Sequence, residues 1–548
     1  MISPEKPSDP LIDLPDGPAR LAGTLWGGGL SGDAIRKNTA EWLIQVEQPI
    51  ADVDRALEAI AWAQGLMLLG KVLDDAAWGA IHEFLCRAAT SVDESLLTAQ
   101  PLVHQLLAAE LAATLAQQMP DGALSHRMEK AARAAATLGL NRILDAAGVP
   151  AAAHAHLLRS LLACWTRYRE LASDSAEGAW GSRAQQRYDR FVRHVIRTAR
   201  PDGRPSLSDD HSARWDRDLL EAALLASADG ANRQIAALAL PVISSKAVAK
   251  PPKKPSDLPA ASVHCEDQST AILRRNWNRD DERLLIHFAG QTCNIELIAS
   301  GRVVASGPWQ FAVSVNGQPR TAVSDWESIC WHSDADVDYL ELQIELTDDV
   351  VMQRHMVLAR EDRFLLMADA LFAPSTGNWE YRGIVPLAAG VDFCPAEETR
   401  EGLLVGTGRA KQGAGSGGRP LAHVLPLALP EWRSDARGGQ LAAAAGGLEL
   451  RQSIVGQRLF APLLLDLDRG RFRRRMTWRQ LTVAESLVPV AADRAVGYRV
   501  AIGAQQWIIY RSLAAAGNRT LLGHNLSTET LVARFGADGE VTPLIEIE

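Results

Sequence analysis

The sequence predicts a multidomain α and β protein, with an N-terminal helical domain followed by a large antiparallel β-sandwich. Three observations carry this. Through the first half, apolar residues recur with the helical period of about 3.6. Through the second, they recur with the period of two that marks half-buried strands. Between the halves lies Lys246-Ala-Val-Ala-Lys-Pro-Pro-Lys-Lys-Pro255, whose composition reads as an extended, solvated linker. Strands and helices do not alternate, which argues against a doubly wound parallel sheet.

The elements follow in order. Met1 to Leu21 carries Pro and acidic residues without a long apolar stretch, so residues 1–35 read as an extension, not a secretory signal. Residues 36–245 are rich in Ala and Leu. Leu57, Ile60, Ala61, Leu66 and Met67 form one helical stripe. Further helices are expected near 75–89, 102–118, 124–146, 151–172, 183–200 and 214–227. They are broken at Pro101, Pro120-Asp-Gly122, Gly148-Val-Pro150 and Pro201-Asp-Gly203. Short loops make such helices antiparallel neighbours, in an ordinary bundle or an α/α toroid. The linker is assigned to 246–262 and the sandwich to 263–548. Strands are expected at 284–288, 337–346, 350–358, 364–368, 495–502, 506–512, 531–535 and 541–547. Turns such as Asn316-Gly317 and Asp348-Asp349 separate some of them. The Gly-rich stretch 406–419 lacks the Gly-Lys-Ser/Thr ending of a phosphate-binding loop and reads as a surface hairpin.

Composition bounds the function. The chain has 548 residues, 47% hydrophobic and 22% charged, which is globular and not disordered. A formal net charge of -9 argues against a nucleic-acid coat. No apolar run is long enough to span a membrane. The six cysteines form no C-x-x-C pair, and their spacing is not that of a disulfide framework. A reducing, cytoplasmic location is expected from this. No metal or cofactor is expected.

Three stretches stand out as motifs. The first is Tyr188-Asp-Arg-Phe-Val-Arg-His-Val-Ile-Arg-Thr-Ala-Arg-Pro-Asp-Gly203, followed by Ser208-Asp-Asp210. The second is Pro101-Leu-Val-His104-Gln-Leu-Leu-Ala108. The third is Ile295-Glu-Leu-Ile-Ala-Ser-Gly-Arg-Val-Val-Ala-Ser-Gly-Pro308. Together with Val351 to Asp369 and the order of the halves, they resemble the heparinase II/III-like family of polysaccharide lyases. The resemblance implies an α/α toroid before the β-sandwich. It also implies an acidic polysaccharide or oligosaccharide as partner, uronate-containing and sulfated or not, with no nucleic acid and no membrane. The chain departs from the family pattern twice. The family's His-x-His motif precedes the third stretch, but residues 289–296 contain no histidine, and Cys293 lies in that region. Val103 stands where the family has Asn before His104.

The family's β-elimination removes the C5 proton of a uronate and expels the 4-linked sugar. It needs donors to neutralise the carboxylate and a Tyr or His to move protons. Tyr188 is the leading tyrosine candidate, ahead of Tyr168. Its structural alternative is a helix-face residue. His104 and His211 are the histidine candidates, against a packed histidine and a turn residue respectively. Cys293 reads as a buried strand cysteine, since nothing nearby implies a reactive thiolate.

Two further clusters suit sugar or anion binding. Trp326, Trp331 and His332 precede Asp334, Asp336 and Asp338. Aromatic faces stack on sugars while carboxylates take their hydroxyls. A core Trp beside an acidic turn is the structural alternative, and the glycine of a calcium loop is missing. Arg469, Arg471, Arg473, Arg474 and Arg475 can pair with sulfates or uronates, or form a charged edge strand. Three functions follow: an active lyase, a lyase-fold protein that binds acidic glycan without elimination (a pseudoenzyme), and a structural or assembly module. The missing histidine and asparagine favour the latter two.

Overall fold

In the computed structural model, the described residues are 50–119, 122–173, 178–207, 214–240, 258–407, 418–435 and 437–548, with Lys37 and Trp42. The chain forms two compact units. One comprises residues 1–199 with 203–258, and the other residues 200–202 with 259–548. Helices fill the first and antiparallel sheets the second. The assigned extension, most of the linker stretch, and residues 408–417 of the Gly-rich stretch lie outside the described residues.

In the helical unit, short acidic side chains start the helices. Asp52 accepts from the Arg55 backbone N–H at 2.8 Å and opens Val53–Gln64. Asp74 accepts from the Ala77 N–H at 2.8 Å and opens Asp75–Thr90. Each cap satisfies a donor that the first turn leaves unpaired, worth about 1 kcal/mol. Ala123–Ile143, Leu158–Leu171 and Ser182–Thr198 follow. On the last, Tyr188, Phe191, Val192 and Val195 bury one face at helical spacing. Pro201 stops it, because the residue before a proline avoids the helical region. Arg217–Ala226 and Gly230–Ala239 are capped by Asp216 and Asp229. The second of these was not expected. It begins on glycine, so its start signal is the Asp229 cap alone.

The run from Pro101 is irregular. Pro101–His104 passes into a π-helical turn, Gln105–Leu111, and then into Ala112–Gln118. Every residue of the π turn is buried. Insertions of this kind inside helices are rare and recur at functional sites.

In the second unit a five-stranded antiparallel sheet comes first. It comprises Val263–Cys265, Thr270–Arg274, Arg283–His287, Asn294–Ala299 and Arg302–Pro308, in sequence order. An 11-stranded sheet follows, with Phe364–Val385 and Gly447–Asp466 as its long paired strands. A third sheet comprises Met476–Leu481, Ala495–Ile502, Gln505–Ser512, Thr530–Phe535 and Val541–Ile547. The expected strand near 364–368 is thus the start of a strand of 22 residues.

Side-chain alternation explains the layering. Leu340, Leu342, Met352, Met356, Leu365 and Met367 of the large sheet share a core with Leu284, Ile286, Ile295 and Leu297 of the first sheet. Their neighbours Tyr339, Val357, Leu366 and Ala368 share a second core with Tyr498, Trp507 and Ile509 of the third. Both faces of the large sheet are therefore buried along Val337–Leu346, Val350–Ala359 and the first half of Phe364–Val385, whereas the second half of that strand alternates buried and exposed. Burial on both faces is why those stretches read as near-continuous apolar runs rather than clean alternation. Truncating a residue such as Leu366 to Ala should cost about 2–5 kcal/mol. Two of the expected turns have the left-handed backbone they require. Asn316 and Gly317 sit at φ 55 and 75, and Asp348 and Asp349 at φ 61 and 56.

Candidate functional site

Tyr188 is fully buried. Its hydroxyl shares a hydrogen bond of 2.8 Å with Thr166 Oγ1, and its ring lies 5.3 Å from that of Trp180. Burial pushes the phenol well above its ordinary pKa, and the Thr166 bond offsets only part of this. Tyr168 is buried too and donates to the Ala179 carbonyl at 2.8 Å. A phenol held this way packs the unit. The same holds across the chain: all six tyrosines are buried, the most exposed being Tyr381 at 4%.

His104 is buried at the end of the first helical turn after Pro101. Its Nδ1 lies 3.0 Å from Gln105 Nε2. Gln105 also donates to the Ala135 carbonyl at 3.1 Å and accepts from Trp165 Nε1 at 2.9 Å. Burial lowers the His104 pKa, against the opposing pull of Asp93 and Glu94. His211 lies outside the described residues. Tyr188 and His104 therefore belong to separate hydrogen-bonded groups.

Two residues of the π turn were missed as site candidates. Gln105 and Glu110 are both 0% exposed, and Glu110 takes two hydrogen bonds from Arg167, at 2.5 and 2.9 Å. The available signal was two polar residues five apart in an apolar run, a spacing that no α-helical face satisfies.

In the β unit, two of the singled-out stretches meet. Arg200, from the Arg-Pro-Asp-Gly turn, donates its Nε to Glu296 Oε2 at 2.8 Å. Glu296 lies on the strand that opens the third stretch, and Arg283 Nη2 approaches its other oxygen at 3.6 Å. Burial pulls the Arg283 pKa down to about 10, with Arg200 adding to the effect and Glu296 opposing it. The adjacent loop contains no histidine from 289 to 296, yet the strand entering it ends on His287, directly paired with Asn294. Burial lowers the His287 pKa to about 4, with Glu296 opposing. The imidazole is neutral at pH 7. His287 was overlooked because it closes an apolar strand and reads as part of it.

Cys293 is buried beside Arg354. Burial raises the thiol pKa and Arg354 opposes the rise, so the cysteine stays protonated and packs the core. Arg354 and Asp369 form a fully buried pair with bonds of 2.8 and 3.0 Å. Tyr381 donates to Asp369 at 2.6 Å, and the guanidinium lies 3.8 Å from the Trp309 ring centroid.

The Trp and Arg clusters separate in the same way. Trp326 is buried, 5.0 Å from the Arg354 guanidinium, and offers no face to a sugar. Trp331 is half-buried and stacks on His264 at 5.2 Å. His332 is exposed, with Nε2 3.1 Å from Asp334. Asp338 is buried among Ser262, Arg274 and Arg360, while Asp336 pairs with Arg534. The three aspartates thus go to different partners. The arginine run is a turn between strands, not an edge strand. Arg471 is buried against Asp466 and 4.9 Å from the Trp507 ring, which takes it out of the anion-binding set. Arg473, Arg474 and Arg475 are exposed.

The sequence matches no family model and no curated protein. Solved structures do match. Heparan sulfate lyase HepC from Pedobacter heparinus aligns over 91% of this chain and 82% of its own, at TM-score 0.57 and 12% identity. A heparinase III, the BT4657 gene product, aligns over 90% and 82% at TM-score 0.58 and 8% identity. Another heparinase III aligns over 90% and 82% at TM-score 0.53 and 10% identity. Helices followed by antiparallel sheets, in this order and over this span, give the chain a polysaccharide-lyase fold of the heparinase III type on a divergent sequence.

Proposed function

We propose that this protein binds an acidic, uronate-containing polysaccharide or oligosaccharide and does not cleave it through a tyrosine. In this reading the helical half is an α/α toroid and the β half a sandwich. The fold likeness supports the ligand class. The burial of all six tyrosines carries the rest, because elimination by a phenol needs its hydroxyl at the substrate. The exposed Arg473, Arg474 and Arg475 supply the anion contact, since guanidinium forks pair with sulfate and carboxylate oxygens.

The test uses heparin, heparan sulfate, alginate and chondroitin. Absorbance at the unsaturated-uronate band is expected to stay flat. Heparin retention is expected to fall with salt and with the Arg473→Gln, Arg474→Gln, Arg475→Gln triple variant. An absorbance rise abolished by Tyr188→Phe would overturn the proposal.

One observation favours an active enzyme instead. His287 is neutral at pH 7, and an anionic substrate beside it would raise its pKa toward the working range of a base. An absorbance rise kept in Tyr188→Phe and lost in His287→Ala would establish that reading.

A further inference from the structure

The outer face of the long paired strands carries a cleft that none of the clusters above uses. Its volume is about 510 Å³, and Ser314, Glu380, Arg382, Arg451 and Ser453 are among its lining residues, together with Tyr381, whose hydroxyl is committed to Asp369. Strand register puts the first five in two rows. Arg382 faces Arg451 directly across the ladder. Two residues along, Glu380 faces Ser453 on one side and Ser314 on the other.

Like charges directly opposite one another destabilise a sheet unless something binds both. Glu449, two residues along from Arg451 on the same face, does this. Its two oxygens each accept one Nε–H, from Arg382 and Arg451 respectively. Glu449 is 5% exposed, whereas the two arginines are 46% and 62% exposed. Burial raises the Glu449 pKa, but the two arginine hydrogen bonds outweigh it and hold the carboxyl ionised. Two guanidiniums thus share one carboxylate. Among the described residues each bonds the protein only through its Nε, and both line the cleft. The second row differs in character. Ser314 donates to Glu380 at 3.2 Å, and Ser453 is exposed beside them. One row suits an anion and the next suits hydroxyls.

We propose that this cleft is a subsite for an acidic sugar, its sulfate or carboxylate held between Arg382 and Arg451 and its ring hydroxyls met by Ser314, Glu380 and Ser453. This rests on the acidic-glycan reading above and adds a place and a ligand geometry to it.

The experiment measures binding of a labelled heparin oligosaccharide to the full chain at low salt. Arg382→Gln with Arg451→Gln is expected to weaken binding about ten-fold or more, the loss for two charge-assisted contacts. Ser453→Glu removes no bond and places a carboxylate in the cleft, so it too must weaken binding. Glu449→Gln removes the carboxylate charge and one of its two acceptors, which leaves the pair of guanidiniums with net positive charge, and must tighten it. Inorganic sulfate at the oligosaccharide's concentration must not displace it. Wild-type affinity in folded Arg382→Gln/Arg451→Gln and Ser453→Glu proteins overturns the cleft and leaves the glycan reading standing. Displacement by equimolar sulfate overturns the sugar part. A wild-type chain that binds no polyanion overturns both.

Discussion

Replacing Asp369 by Asn should disrupt the β unit more than its modest change in shape suggests. Asp369 and Arg354 are each 0% exposed and are joined by bonds of 2.8 and 3.0 Å, with Tyr381 donating a third at 2.6 Å. The substitution leaves a guanidinium charge in the core. Its remaining supports include a 2.9 Å bond to the Trp309 carbonyl, Cys293, and the faces of Trp309 and Trp326. Breaking a buried pair from one side costs about 3–5 kcal/mol, because the surviving charge stays desolvated. That is a large share of the roughly 5–15 kcal/mol that holds a typical fold together. A two-unit chain need not unfold in one step, so the readout should be local. Hydrogen exchange of Val350–Ala359 and Phe364–Val385 is expected to accelerate by about 100-fold or more, the rate equivalent of about 3 kcal/mol. The helices of the first unit should be unaffected. Arg354→Met with Asp369→Leu and Tyr381→Phe removes all three polar side chains and should return exchange most of the way to wild type, short of it by the Trp309 carbonyl left without its donor. Exchange in Asp369→Asn within three-fold of wild type would refute the argument, since the pair would then not be desolvated.

Other predictions follow from the same physics. Tyr188→Phe leaves the buried Thr166 hydroxyl without its partner and should cost about 1–3 kcal/mol in urea unfolding, with heparin retention unchanged. Glu110→Gln removes from the π turn the carboxylate that pairs with Arg167 of Leu158–Leu171 and should cost about 3–5 kcal/mol, read as faster exchange in Ala112–Gln118 and Leu158–Leu171. His423 is buried, and burial lowers its pKa to about 4, against about 6.5 unfolded. Below about pH 6.5 the unfolded chain takes up that proton first, so this contribution to stability is whole above pH 6.5 and lost as pH falls toward 4. The loss is at most about 3 kcal/mol, and thermal midpoints between pH 7.5 and 4.5 should drop less steeply in His423→Asn.

The sequence was informative where one physical rule dominates. The helical stripe through Leu57, Ile60 and Ala61 is buried in Val53–Gln64, and Asn316-Gly317 makes the tight turn its composition demands. Arg471 shows the limit. Within its arginine-rich run it is indistinguishable from Arg473, yet it turns inward to Asp466 while Arg473 stays in solvent. His287 shows the same limit from the other side, since a histidine that closes an apolar strand carries no local mark of the charged neighbours folding brings to it.

Local order thus determined the two halves, their helical and strand periods, and most turns, because period and turn chemistry act between residues close along the chain. Partnership was decided only in three dimensions. Glu296 meets Arg200 from 96 positions away, and Arg382 faces Arg451 through the register of two long strands. The physical reason is that desolvation, unlike period, depends on what else is packed around a charge. The same kind of side chain lines an open cleft on a ladder and is a structural strut inside a core.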